Sequence, residues 1–136
     1  LPEDMVTKVK LGATLGSLST PENLVKVIVI EAILTFLLVT TIFAVAVDKR
    51  GPKNIYGFAI GLTVCFDILC AGAFTGASMN PARSFGPALI GGHWDIHHCY
   101  WIGPIVGGVL AALVYDRVVI GKDAAGGDDA GGGEES

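Results

Sequence analysis

A polar stretch at residues 76–88, GASMNPARSFGPA, interrupts a strongly apolar chain and constrains its fold more than any other feature. Asn80 is a strong helix N-cap candidate, and Pro81 suits the first helical position, where its missing N–H would have no intrahelical partner. A Gly-Gly pair ends the helix predicted over residues 81–90, which is about 15 Å long, roughly half of a hydrocarbon core. Such a half-helix is tolerated in a membrane only where its backbone is buried in protein or lines a water-filled cavity.

The rest of the chain can surround this half-helix with membrane-spanning segments. Hydrophobic residues make up 51% of the chain and charged residues only 16%, against about 25% charged residues in soluble domains. Apolar runs long enough to cross a hydrocarbon core lie at about residues 25–47, 56–74 and 99–120. The predicted fold class is an all-α membrane protein with three transmembrane helices and one re-entrant half-helix.

The two ends of the chain are predicted to lie outside the membrane. Residues 1–22 mix charged, small and hydroxyl residues and are expected to form a connecting loop, while residues 23–121 form the membrane unit. Residues 122–136 contain mostly Asp, Glu, Ala and Gly, with almost nothing to bury, which predicts a disordered tail. No basic region followed by an apolar region, as in a signal peptide, opens the sequence.

Positive charge predicts the orientation, because cytoplasmic loops carry an excess of Lys and Arg. Basic residues follow the first and third spans, so both places, and with them the C-terminus, are expected to be cytoplasmic. Lys8 and Lys10 would then lie on the opposite side of the membrane, and this basic pair argues for the reverse orientation. The net charge of −4 comes largely from the tail and indicates neither nucleic acid nor another anionic partner. The basic residues after the two spans are Lys49, Arg50, Lys53, Arg117 and Lys122.

Side chains that could support catalysis or metal binding form no convincing group. Cys65, Cys70 and Cys99 fall in or beside apolar segments, which indicates packed or reduced thiols and not a disulfide framework. We interpret the three histidines of the 93–98 connection as part of a polar loop and not as a metal site. Without a nucleophile paired with a base, no enzyme, cofactor or metal is predicted.

Acidic and small residues within the predicted spans need a packing explanation. A charge at the centre of a membrane helix costs about 2.5 to 3.5 kcal/mol on insertion scales, so Glu31 and Asp67 should face protein or water. Asp67 is expected to bond a neighbouring helix or loop, and a proton relay through the pair is disfavoured. Glycines at helix-packing spacing could allow close contact or be incidental. These pairs are Gly57 with Gly61 and Gly103 with Gly107.

The string SMNPARSFGPAL closely resembles the second Asn-Pro-Ala loop of the aquaporins, and the similarity extends to GFAIGLTV upstream and YWIGPIVGGVLAALVYD downstream. It covers about residues 23–119. Aquaporins are right-handed helical bundles built from two similar halves in inverted orientation, each with three spans and one Asn-Pro-Ala half-helix. The chain contains one such half, so the resemblance implies the C-terminal half, with residues 1–21 as the loop joining the halves. The implied partners are the missing N-terminal half and, in a homotetramer, further copies.

The resemblance also implies which side chains act in the pore. Asn80, with Pro81 and Ala82, would orient passing water at the start of the half-helix. Arg83 would be the cationic member of the outer constriction, and Ile68 and Ala77 would be two further constriction positions. In a separate supporting role, Glu31 would hold the backbone of the re-entrant loop.

These positions imply a passive channel for water, with ammonia or other small neutral solutes passing as well. Ile with Ala and Arg resembles the tonoplast intrinsic proteins of plants and the animal aquaporin-8 type, so a vacuolar, other intracellular or plasma membrane is implied. Four positions follow the water-channel pattern and make a glycerol or urea facilitator the weaker alternative. A structural, junction-type role for the fold is a further alternative. The four discriminating positions are Ser84, Ala88, Tyr100 and Trp101.

Overall fold

The computed structural model describes residues 12–52 and 54–121. This part of the chain is helical and contains no strand. The expectations for residues 1–11 and for the disordered tail at 122–136 lie outside the described residues. Of the predicted connecting loop, the structure describes residues 12–22.

Within residues 12–52 and 54–121, three helices are long and apolar enough to cross a membrane. Helix α1, Leu24–Ile42, follows a 3-10 turn at Pro21–Asn23 and continues as a π-helical turn at Phe43–Val47. Helix α2 is Tyr56–Thr75, and helix α4, Cys99–Val114, continues as a π-helical turn at Tyr115–Ile120. These helices confirm the predicted all-α membrane fold.

The half-helix α3 is Pro81–Gly91. Asn80 caps it, because its side-chain Oδ1 accepts a hydrogen bond of 2.9 Å from the backbone N–H of Ala82. Gly92 ends it in the left-handed conformation, with φ of 70°. Its 11 residues span about 16 Å, so α3 reaches only partway across a hydrocarbon core of roughly 30 Å.

Glycines on α4 allow its close contact with α1. A Cβ atom on Gly103 would lie 2.8 Å from the carbonyl oxygen of Ile28, and one on Gly107 would collide with the backbone of Ala32. Any larger residue would therefore separate the two helices. Gly57 and Gly61 have open space around them instead. Of the two glycine pairs in the sequence, only the pair on α4 is used for helix packing within the described residues.

Asp48 lies just after α1, in the chain reversal at the end of the bundle away from the half-helix. Its hydrogen bonds link this reversal to the π-helical turn that continues α4. It accepts hydrogen bonds from the Arg50 guanidinium at 2.7 and 3.0 Å and from the Tyr115 hydroxyl at 3.0 Å. The Arg50 hydrogen bonds hold the pKa of Asp48 well below its usual range. This cluster holds the chain together at the end of the bundle opposite to the re-entrant loop.

Candidate functional site

The re-entrant loop between α2 and α3 is held by one buried carboxylate from α1. Glu31 is fully buried. Its Oε1 accepts hydrogen bonds from the Thr75 hydroxyl at 2.7 Å and from the Ser78 amide at 3.0 Å, and its Oε2 accepts one from the Met79 amide at 2.8 Å. Each donor comes from the loop or from the last residue of α2, so the carboxylate sets the path of the loop backbone.

The loop backbone is strained where it meets Glu31. Ala77 and Met79 have φ of 43° and 53°, in the left-handed region that costs a non-glycine residue about 1 to 2 kcal/mol. They flank Ser78, whose amide, like that of Met79, bonds the carboxylate. Hydrogen bonds to a charged group contribute about 1.5 to 3 kcal/mol, enough to offset this strain. Nothing in the sequence marks these two residues for such a conformation.

Two of the site residues present polar groups on one exposed face at the start of α3. Asn80 and Arg83 are both exposed, and their spacing of three places them on the same side of the helix. The Asn80 Oδ1 is occupied by the Ala82 amide, which leaves its Nδ2 hydrogens to point outward. Within residues 12–52 and 54–121, no side chain or carbonyl accepts from the Arg83 guanidinium. This face therefore presents hydrogen-bond donors and a positive charge.

The structure places the other constriction candidates differently from one another. Ile68 on α2 is 44% exposed and is free to line a passage. Ala77 is fully buried and packs with Leu34 and Ala71, so its methyl group does not reach the exposed face. At this position the structure shows a left-handed loop backbone and a buried side chain.

Asp67, next to Ile68, is turned into the bundle and is only 4% exposed. Its Oδ2 is buried and has no hydrogen-bond partner within the described ranges. The expected bond to a neighbouring helix or loop is therefore not formed by this oxygen.

The four positions expected to distinguish a water channel from a glycerol facilitator do not form one surface. Ser84, Ala88 and Tyr100 are buried. Trp101 is 43% exposed, and its indole N–H donates to Nε2 of His97 at 3.0 Å. Burial of His97 lowers the pKa of its imidazole.

The cysteines and histidines form no further centre in the part of the chain that the structure describes. Cys65 and Cys70 are exposed free thiols, and Cys99 is a buried one. No group of three His, Cys, Asp or Glu side chains there is arranged to hold a metal ion.

Comparison with known proteins finds a matching family and similar sequences. Residues 4–115 match the family model described as Major intrinsic protein. The chain is 50% identical over 115 residues to Aquaporin TIP1-2 of Zea mays, covering 82% of the chain and 45% of the relative. It is 45% identical over 114 residues to Aquaporin TIP4-1 of Arabidopsis thaliana, covering 82% of the chain and 46% of the relative. The chain thus spans about half the length of the curated relatives it matches.

Proposed function

Because this chain belongs to the major intrinsic protein family, we propose that it forms the second half of a passive water channel. The observation that carries the proposal is the shared exposed face of Asn80 and Arg83, held in place by the contacts of Glu31 to the loop. The family and its aquaporin relatives support a channel and not an enzyme.

The exposed face would select water by hydrogen bonding and charge. The outward Nδ2 hydrogens of Asn80 donate to the oxygen of a passing water molecule and orient it. The N-terminus of α3 adds the equivalent of roughly half a positive elementary charge, and Arg83 adds a permanent one. Cations and protons are repelled by this field, while a neutral molecule that accepts hydrogen bonds can pass.

The solute range would extend to ammonia. Ile68 contributes an apolar surface where strict water channels carry a histidine, which removes a donor and widens the constriction. A solute that enters a constriction with few donors gives up hydrogen bonds that it made in water. This desolvation costs a weaker hydrogen-bonding solute such as ammonia less free energy than it costs water. Ser84 and Ala88 follow the water-channel pattern, so a glycerol facilitator is the less favoured function.

The protein is an integral membrane protein, since it belongs to this family and its described residues include three helices able to span a membrane. Its similarity to relatives named TIP supports residence in a vacuolar membrane. A complementary first half would complete the wall of the pore. The channel would assemble as a homotetramer, with its C-terminus facing the cytoplasm.

Osmotic swelling tests the proposal. Proteoliposomes that contain the full-length channel should shrink or swell faster than empty vesicles in stopped-flow light scattering. Arg83→Ala should keep water flux and raise proton or cation conductance by about tenfold, because the field barrier falls. Arg117→Ala, which removes an exposed charge after α4, is the matched control. Wild-type vesicles that swell no faster than empty ones would refute the channel.

A further inference from the structure

The connection between α3 and α4, residues 92–98, carries a histidine that lies among aromatic rings. His97 packs edge-on against Trp94, with ring centroids 4.9 Å apart, and its centroid lies 6.2 Å from that of Phe85 and 6.4 Å from that of Trp101. Aromatic rings attract each other at these separations. The group formed by His97, Phe85, Trp94 and Trp101 is called the aromatic clasp below.

The aromatic clasp joins two helices through the connection between them. Phe85 belongs to α3 and Trp101 to α4, while Trp94 and His97 come from the connection. Trp94 also meets Phe85 edge-on, with centroids 5.9 Å apart. Next to His97, Ile96 anchors the connection in a buried cluster with residues of α1 and α4. The clasp is thus a side-chain link between the half-helix and the span that follows it.

One hydrogen bond in the aromatic clasp depends on the protonation state of His97. The indole N–H of Trp101 donates to Nε2 of His97 at 3.0 Å. Nε2 can accept only while it carries no proton, so the imidazole is neutral and has its hydrogen on Nδ1. Protonation turns Nε2 into a donor, and the indole nitrogen is a donor only. The bond is therefore lost when His97 becomes charged.

The surroundings of His97 oppose its protonation. Burial lowers the pKa of the imidazole, and the neighbouring His98 lowers it further. When the aromatic clasp opens, the ring reaches water and takes up a proton at its ordinary pKa of about 6.5. The closed clasp is therefore fully stable above about pH 6.5 and loses stability as the pH falls below that value.

The ionisable groups around His97 come mainly from its own connection. They are His93, Asp95 and His98, with Tyr100 on α4. Residues 13–15 line a small cavity together with His97 and carry no ionisable side chain. The charged residue of α3, Arg83, lies about 200° around the helix from Phe85 and so faces away from the aromatic clasp. Within residues 12–52 and 54–121, no carboxylate lies at ion-pair distance from His97, so its charged form gains no ion pair there.

We infer that His97 is a proton-sensitive positioning residue, whose neutral ring holds α3 to α4 and whose protonation opens the aromatic clasp and lowers water permeability. The inference rests on the proposed channel function. Asn80 and Arg83 keep their shared exposed face in place only while α3 is fixed, so loosening the half-helix leaves fewer channels in a conducting state. Because α4 crosses the membrane between them, the clasp and residues 115–120 lie on opposite sides. The side that carries the clasp is the acid-sensitive one.

The test is the water permeability of proteoliposomes that contain the full-length channel, with equal pH inside and outside, between about pH 7.5 and about pH 5. Wild-type permeability should fall about two- to fivefold over this range, as expected for losing one hydrogen bond. His97→Gln offers an amide oxygen to the Trp101 indole at every pH. Its permeability should equal that of wild type at the higher pH and stay constant.

His98→Gln is the matched control, because it removes an exposed imidazole next to His97 and keeps the acceptor. Its permeability should still fall, at a slightly higher pH, since His98 no longer opposes the charge on His97. Hydrogen exchange at the amides of His97 and Cys99, which donate to the carbonyls of Trp94 and Ile96, reports clasp opening independently of transport. At about pH 5 both amides should exchange faster in wild type than in His97→Gln.

A wild-type channel that conducts water equally well at both ends of the pH range overturns the inference alone. A fall in His97→Gln as large as that in wild type does the same, because another group must then titrate. A wild-type channel that conducts no water at any pH overturns the proposed function and the inference with it. If His97→Gln does not fold, Trp101→Phe decides the matter, since without the indole N–H protonation has no bond to break and a fall of wild-type size contradicts the inference.

Discussion

Two carboxylates at different depths of the bundle hold two different turns of the chain. Glu31 lies within α1 and is satisfied by two backbone amides and one hydroxyl of the re-entrant region. Asp48 lies just beyond α1 and is satisfied by Arg50 and Tyr115. Glu31 has no cationic partner among these contacts, whereas Asp48 forms an ion pair with Arg50.

The difference in partners follows from the cost of placing charged side chains within a membrane span. A second charge within a membrane span would add its own insertion cost, and backbone amides of a re-entrant loop need acceptors anyway. Glu31 therefore serves the proposed pore by satisfying its backbone. At the end of a span an arginine can keep its hydration, and the Arg50 side chain is 52% exposed. Asp48 accordingly serves the stability of the turn.

The largest expected effect is that of Glu31→Ala. It removes the acceptor for the Ser78 and Met79 amides and leaves the two left-handed residues without support. The free energy of unfolding should fall by about 3 kcal/mol or more, and water permeability of the full-length channel by at least about tenfold. Thermal unfolding in detergent and stopped-flow swelling measure both quantities. Unchanged water permeability would show that the loop does not depend on this carboxylate.

A smaller effect is expected at the constriction. Ile68→His should lower ammonia flux more than water flux, because it adds a donor and narrows the passage, and the ammonia-to-water ratio should fall about threefold. Leu69→His places the same group about 100° further around α2, where Leu69 is 76% exposed, and should leave the ratio unchanged. Paired recordings of swelling and internal pH supply both fluxes. An equal ratio in wild type and Ile68→His would remove Ile68 from the constriction.

The smallest effect should come from Asp48→Asn at the opposite end. Thermal stability should decrease slightly and water permeability should stay the same, since the cluster is remote from the re-entrant loop. The Arg50 hydrogen bonds depress the pKa of Asp48 in the folded protein, so its contribution is complete above the unfolded pKa of about 3.9 and is lost as the pH falls further.

Melting temperatures of wild type and Asp48→Asn should therefore differ by a constant amount from pH 7 down to about pH 4 and converge below it. A difference that disappears near pH 6 would mean that another group titrates. Reduced water permeability of Asp48→Asn would show that Asp48, like Glu31, supports the pore and not only the stability of its turn.

The half-helix could be predicted closely because its signals are local. The cap at Asn80, the proline at the first position and the Gly-Gly stop predicted a helix over residues 81–90, and the structure has Pro81–Gly91. The membrane spans depend equally on local hydropathy, and the helices begin and end close to the predicted residues. The fold class and the family assignment are confirmed.

The contacts within the site could be predicted only in part. The resemblance implied that Glu31 holds the loop, but the Thr75 hydroxyl as a third donor and the left-handed backbone at Ala77 and Met79 depend on the three-dimensional path of the chain. The resemblance likewise implied Ala77 as a constriction position, and that its side chain is buried could not be read from the sequence. An alanine carries no polar group or bulk that would indicate its direction beforehand.

Hydropathy and helix capping can be read from the sequence alone, and they predicted three membrane-spanning helices and a half-helix that begins at Asn80 and Pro81. Hydropathy also required that Glu31 and Asp67 be either paired inside the protein or solvated. The tertiary structure decided which atoms satisfy those groups. It also decided that Ser84 faces Thr14, 70 positions away in the chain. Hydropathy and caps act between neighbours along the chain, whereas hydrogen bonds between distant segments exist only after the helices have packed.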